Sequence, residues 1–215
     1  MLKGVDLSRH NRNMKNLKEL LKYDFAIIKV SEGIGYRDTS ASLYVKTLKD
    51  SDTIIGFYHF VRADIGNSPA LEAENFINAV RATGVKNPLL AVDVEARSLE
   101  EPFIDAWTES FCRCVYNYFG YLPLLYTSEA YVKLFKRTCA LGVGLWVAKW
   151  SNNKPKKIKP WDFFAIWQYT SSAICSAVRV DENYFNGKKD QLLKYCGVND
   201  NEKTLNSTAT DSTRN

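Results

Sequence analysis

The chain of 215 residues fits one domain with a full-sized core. At 46% hydrophobic and 25% charged residues its composition is ordinary for a globular protein, and no apolar run approaches the roughly 18 residues of a membrane-spanning helix. A net charge of +5 suits an anionic partner such as nucleic acid, an acidic membrane or a teichoic-acid-laden cell wall, but the lysines are dispersed, and the one dense run, Lys154-Pro155-Lys156-Lys157-Ile158-Lys159, reads as a solvated loop.

Strand-like and helix-like segments alternate along the chain. Residues 2–8 read as a short strand and 14–22 as an amphipathic helix with Asn13 as N-cap. Residues 25–32 are a strand ended by Gly33, 39–49 a helix and 53–60 a strand. The clearest helix is 69–83, with Ser68 as cap, Pro69 at its first position, Gly84 as its stop, and Ala73, Phe76, Ile77 and Val80 at helical spacing. A strand at 89–96, a helix at 103–119, a strand at 122–127 and a helix at 128–137 follow. Strand candidates at 145–149, 163–170 and 177–183 close the series. Such alternation indicates a parallel α/β architecture, and the thinning of helices near the end predicts a barrel of about eight strands with an irregular last section.

Residues 1–198 are assigned to that barrel. Residues 199–215 are polar and read as a disordered tail or the start of a linker, in which Asn206-Ser207-Thr208 forms a glycosylation sequon by pattern. The five cysteines (Cys112, Cys114, Cys139, Cys175, Cys196) lack a disulfide or zinc spacing and read as buried reduced thiols. No apolar stretch follows the N-terminus, so no signal peptide is expected.

The run Leu89-Leu90-Ala91-Val92-Asp93-Val94-Glu95-Ala96 carries the most chemistry. Side chains alternate along a strand, so Ala91, Asp93 and Glu95 face one way and Leu90, Val92 and Val94 the other. Two carboxylates then end a strand in a setting that resists buried charge. Asp6 lies near the end of the first strand, Glu32 ends the second, and Asp181 sits in the last. In a parallel barrel all C-terminal strand ends share one face, where catalytic groups collect. Each charge in such a cluster raises the pKa of its neighbours, which can keep one carboxyl protonated near neutral pH.

Two chemistries use such a cluster. Divalent metal sites usually add histidines, and this chain has only His10 and His59, of which His59 reads as a satisfied core histidine. Glycoside hydrolysis needs a protonated acid beside the leaving oxygen and a negative group to support an oxocarbenium-like transition state. Asp-x-Glu at a strand end, with Tyr58, Tyr126, Trp167 and Tyr169 at nearby ends to stack on sugar rings, fits that chemistry better.

The ordered motifs Gly4-Val5-Asp6-Leu7-Ser8, Ile28-Lys29-Val30-Ser31-Glu32-Gly33, Gly56-Phe57-Tyr58-His59-Phe60 and Asp93-Val94-Glu95 resemble glycoside hydrolase family 25. The series continues with Leu125-Tyr126-Thr127-Ser128, Leu145-Trp146-Val147-Ala148, Trp167-Gln168-Tyr169-Thr170, and Asp181 with Asn183 and Phe185. The resemblance implies an irregular TIM-like (β/α)5β3 barrel and N-acetylmuramidase (lysozyme) activity on the β-1,4 bond from N-acetylmuramic acid to N-acetylglucosamine, with retention of configuration. It implies Glu95 as general acid and then base, Asp93 assisting, Asp6 and Asp181 completing the acidic site, and Glu32, Tyr58, Tyr126 and Trp167 as substrate contacts. No cofactor or metal is expected. The implied partner is bacterial cell wall peptidoglycan, met by a monomer outside the cytoplasm after lysis or another export route, without nucleic acid or membrane as partner. The alternatives are a non-catalytic peptidoglycan-binding barrel and a metal-dependent hydrolase.

Overall fold

The computed structural model describes residues 1–100 and 102–198; the expected tail at 199–215, with its sequon, lies outside the described residues. Strand β1 (Leu2–Leu7) pairs in parallel with β2 (Phe25–Glu32), which also carries a two-residue appendage, β3 (Tyr36–Arg37). Helix α1 (Ala41–Leu48) leads to β4 (Ile54–Phe60), and α2 (Pro69–Thr83) to β5 (Leu89–Asp93). Helix α3 (Ile104–Phe119), β6 (Leu124–Ser128), α4 (Lys136–Ala140) and β7 (Leu145–Ala148) follow. The chain then forms a hairpin of β8 (Ile166–Cys175) and β9 (Val178–Phe185) and ends in a short helix, α5 (Lys189–Lys194). The strand order β1-β9-β8-β7-β6-β5-β4-β2, with β1 pairing back to β2, closes an eight-stranded barrel.

Strand alternation divides the core in two. Phe25, Ile27, Leu89, Ala91, Leu124, Trp146, Ile166 and Phe185 fill the barrel interior. Their neighbours Ala26, Ile28, Leu90, Val92, Leu125 and Val147 face outward to the helices, where Phe76 and Phe111 also lie buried. Gly4 is opposite Phe25 in the β1–β2 register, and a Cβ there would lie 2.2 Å from the Phe25 ring. The missing side chain makes room for that ring. Leu192 of α5 and the adjacent Cys196 join the interior cluster, so the hydrophobic filling sits away from the strand ends that bear the acids.

The barrel is irregular where the sequence anticipated it, with one reversal of direction. β9 runs antiparallel to both β8 and β1. A tight turn with Ser176 and Ala177 at φ 48° and 66° joins β8 to β9, a backbone handedness that suits hairpin turns. Other boundaries shift for local reasons. The backbone N–H groups of Lys15 and Asn16 are taken by Ser176, so the expected helix at 14–22 becomes a 3-10 helix, Leu17–Lys22, capped by the Asn16 side chain instead of Asn13. The expected helix at 128–137 is broken, because Ser128 still belongs to β6 and a 3-10 turn, Val132–Leu134, precedes α4. Helix α2 keeps its expected bounds, but Ser68 caps it through its carbonyl, which accepts from Glu72 N, and not through its side chain. All five cysteines are free thiols, of which Cys112, Cys175 and Cys196 are buried and Cys114 and Cys139 only partly so.

Candidate active site

At the mouth the interior-facing positions turn from apolar to polar. Above Gly4 comes Asp6; above Ala91 comes Asp93; above Ile166 comes Gln168; and Asn183 precedes Phe185. The four carboxylates Asp6, Asp93, Glu95 and Asp181 line one cavity of about 300 Å3 together with Ser8, His10, Asn11, Lys29, Tyr58 and Phe60. Two of them arrive by routes that a uniform parallel barrel does not provide. β5 ends at Asp93, so Glu95 stands on the turn beyond the strand, just before Ala96 at φ 53°. Asp181 lies near the beginning of β9, and only the antiparallel run of that strand brings it to the mouth, directly opposite Asp6.

A β-bulge in β2 decides which residues join them. The register slips between Lys29 and Ser31 against β4, reversing the alternation. Ser31 is thereby turned outward to His59 (2.8 Å), while Glu32 comes to the side of Lys29, whose Nζ lies 2.8 Å from Glu32 Oε2. Arg62 Nη1 holds the other Glu32 oxygen at 3.1 Å. Glu32 thus stands beside the cavity as a paired carboxylate and is not among its lining residues.

Asp6 is fixed from below. Its Oδ2 accepts from Gln168 Nε2 (2.9 Å) and Asn183 Nδ2 (2.8 Å). Asn183 Oδ1 in turn accepts from Trp146 Nε1 at 2.8 Å, and Gln168 Oε1 from Tyr126 Oη at 3.1 Å and Trp150 Nε1 at 3.0 Å. The network leaves Gln168 and Asn183 each one orientation, amide nitrogen toward the acid. The entrance loop is equally tied: Ser8 and Asn11 cap one another, Asn11 Nδ2 donates to Arg179 O, and Arg9 N donates to Asp38 Oδ2.

The electrostatics are those of carboxyls kept from water, with Lys29 as a cation among them. Burial pushes the Asp6 pKa well above the carboxylate range, and the charge of the facing Asp181 adds to it. Burial also raises Asp93, followed by the charge of Glu95, while Lys29 opposes the shift. Glu95 is raised by burial, again against Lys29, and Asp181 by burial. Asp93 is 6% exposed and its buried Oδ1 has no hydrogen-bond partner. Among the described residues no group of three or more His, Cys, Asp and Glu is placed to hold a metal ion.

This fold has parallels among known proteins. The model of glycosyl hydrolases family 25 matches residues 5–178. The chain belongs to that family of glycosidases. It is 27% identical over 158 residues to the autolytic lysozyme of Clostridium acetobutylicum, covering 72% of this chain and 47% of that one, so it spans about half that relative's length. Lysozyme M1 of Streptomyces globisporus is 24% identical over 212 residues, covering 89% of this chain and 70% of its own. In fold, the muramidase from Acremonium alcalophilum superposes with a TM-score of 0.78 at 20% identity, over 91% of this chain and 99% of its own. The irregular TIM-like barrel is therefore the fold of this family 25 chain.

Of the residues singled out in the sequence, Asp6, Tyr58, Asp93, Glu95 and Asp181 meet at the cavity. Tyr126 is almost fully buried and reaches the site through Gln168. Trp167 is a correction. It occupies an outward position of β8, packs with Phe164, Tyr169 and Tyr184, and donates from Nε1 to Lys149 O, so it is not brought to the mouth. Its neighbour Gln168 takes the inward position. A polar residue at the alternate position after Ile166 was the available signal for Gln168. Lys29 offered the same signal, a polar residue at the alternate position after Phe25 and Ile27, whereas Trp150 carried none: it is 64% exposed on the loop after β7 and tied to the mouth only by Gln168.

Proposed function

We propose that this family 25 barrel is a peptidoglycan hydrolase of muramidase type, cutting the β-1,4 bond between N-acetylmuramic acid and N-acetylglucosamine with retention of configuration. The observation that carries the reading is the single cavity holding four carboxyls with raised pKa values and Lys29 as the cation among them. Glu95, half-buried and with its pKa raised by that burial, delivers a proton to the glycosidic oxygen. It then takes a proton from the water that completes hydrolysis. Asp181, raised less than Asp6 and Asp93, supplies negative potential beneath the sugar on which oxocarbenium charge develops, with the Asp6 and Asp93 carboxyls beside it. Asp93 stands next to the bond and assists either the 2-acetamido group or the anomeric carbon.

Tyr58 and Trp150 offer ring surface at the cavity and its rim, and Glu32 holds Lys29 and Arg62 in place. The substrate is wall glycan met outside the cytoplasm by a monomer. The test is the Glu95→Gln variant on purified walls. Loss of lysis with an unchanged melting temperature supports the assignment; undiminished lysis removes it.

A further inference from the structure

Glu95 has a second side. Beyond it the mouth opens into another hollow of about 260 Å3, lined by Phe60, Arg62, Asp64, Glu95, Arg97 and Ser98. Phe60 and Glu95 belong to both hollows, so the acid stands on the boundary between them. The wall of this second hollow is built. Arg62 Nε and Nη2 reach Asp64 at 2.9 and 3.3 Å, its Nη1 reaches Glu32, and Ser98 Oγ donates to Val61 O at 3.1 Å. Two carboxylates therefore answer the Arg62 charge.

Arg97 differs. It is exposed and has no hydrogen bond or ion pair among the described residues. It is carried on the 3-10 turn Ala96–Glu100, which starts at Ala96 in the left-handed region, a conformation an L residue adopts only when its surroundings impose it. That turn delivers an unmatched cation to the hollow that Glu95 also lines.

The sugar that develops positive charge must lie over Asp6, Asp93 and Asp181, so the sugar that leaves lies on the other side of Glu95. We propose that this second hollow is the leaving-group subsite, and that Arg97 is its specificity determinant, pairing with a carboxylate on the lactyl-peptide substituent of the sugar after the leaving N-acetylglucosamine. The inference rests on the muramidase reading and adds to it a preference: leaving chains that carry carboxylates bind better than neutral ones.

The experiment compares soluble, teichoic-acid-free peptidoglycan chains in three forms: native, with carboxylates converted to amides, and stripped of peptide so that the lactyl carboxylate is freed. An exposed charge pair of this kind predicts that Arg97→Gln raises KM on native chains by up to about fivefold while kcat moves little. Amidation raises the wild-type KM by a similar factor and leaves that of Arg97→Gln unmoved. The peptide-stripped chain, in which hydrolysis of the lactyl–peptide amide frees a carboxylate that native chains hold as an amide, shows how close that charge must be: a wild-type KM like that on native chains means a carboxylate at the lactyl position suffices, and one like that on amidated chains means a carboxylate of the peptide is required. Binding of the same chains is measured in the Glu95→Gln background, with and without Arg97→Gln, which needs no turnover. Loss of the native-over-amidated preference with Arg97 supports the subsite even if the wild type cuts no wall, an outcome that would remove the muramidase reading alone. Equal binding of native and amidated chains, or an Arg97→Gln variant with wild-type KM on native chains, overturns the proposal.

Discussion

Two buried carboxyls of this barrel live in opposite surroundings. Glu72, on α2, is 0% exposed and answered on every side: its Oε2 lies 2.8 Å from His59 Nε2, both oxygens accept from Arg62 N, and Asn67 Nδ2 donates to Oε1 at 2.8 Å. His59, also 0% exposed, completes the chain through Ser31 and lies against the Phe76 and Phe111 rings. Asp93, at the end of the neighbouring strand, is almost as buried, yet its Oδ1 has no donor and its nearest charged company is Glu95, with Lys29 in opposition. The first arrangement is what a carboxylate needs to support a fold; the second costs stability and leaves a carboxyl ready to react. Burial alone does not distinguish them. The partners do.

The comparison also predicts opposite responses to pH. Burial lowers the His59 pKa against the attraction of Glu72, so the unfolded chain takes up that proton more readily, and the stability His59 allows is lost as pH falls below about 6.5. The mouth acids have raised folded values, so their contribution is fullest below the ordinary carboxylate pKa and is lost as pH rises through the folded values.

The sharpest way to break the comparison is to exchange the effects of the two sites. Glu95→Gln is expected to lower turnover of wall substrate by about a thousandfold with little change in melting temperature. Glu72→Ala should do the reverse, costing roughly 3–5 kcal/mol of stability by leaving His59 and the Arg62 amide without their acceptor, measured by denaturant unfolding. Asp6→Asn should reduce turnover by roughly a hundredfold yet stabilise the protein at pH 7, with the gain shrinking as the pH is lowered toward 4. A variant less stable than the wild type at pH 7 would place Asp6 with Glu72 instead of Asp93. Lys29→Met removes the cation that lowers both Asp93 and Glu95, so the alkaline limb of the pH–rate profile moves to higher pH. The smallest effect is expected for Trp150→Ala, a roughly two- to tenfold rise in KM without loss of stability.

Much of this was legible in the sequence, for a physical reason. Period-two alternation in covered strands leaves little freedom, so the apolar runs at 25–32 and 89–96 located their strands, although the second stops at Asp93, and Pro69 with Gly84 located α2 to the residue. Asp6, Asp93, Glu95 and Asp181 could be grouped because each follows or interrupts such a run. What could not be read is anything that reverses a parity or a direction. The bulge that turns Glu32 toward Lys29, and Ser31 toward His59, leaves no mark in composition. The antiparallel course of β9 depends on the Ser176-Ala177 turn, which lacks the Gly and Asn that usually announce such a hairpin. Trp167 was placed at the site by its position at a strand end, and only the register of β8 shows that Gln168 takes the inward place.

The central claim, that the buried carboxyls at the mouth cut wall glycan with Glu95 as proton donor, meets its most direct test in the new chain ends. Purified peptidoglycan digested by the wild type and by Glu95→Gln would be reduced with borohydride and analysed by mass spectrometry. The wild type should generate N-acetylmuramitol termini and the variant none above background. N-acetylglucosaminitol termini, or equal N-acetylmuramitol from both proteins, would contradict the account.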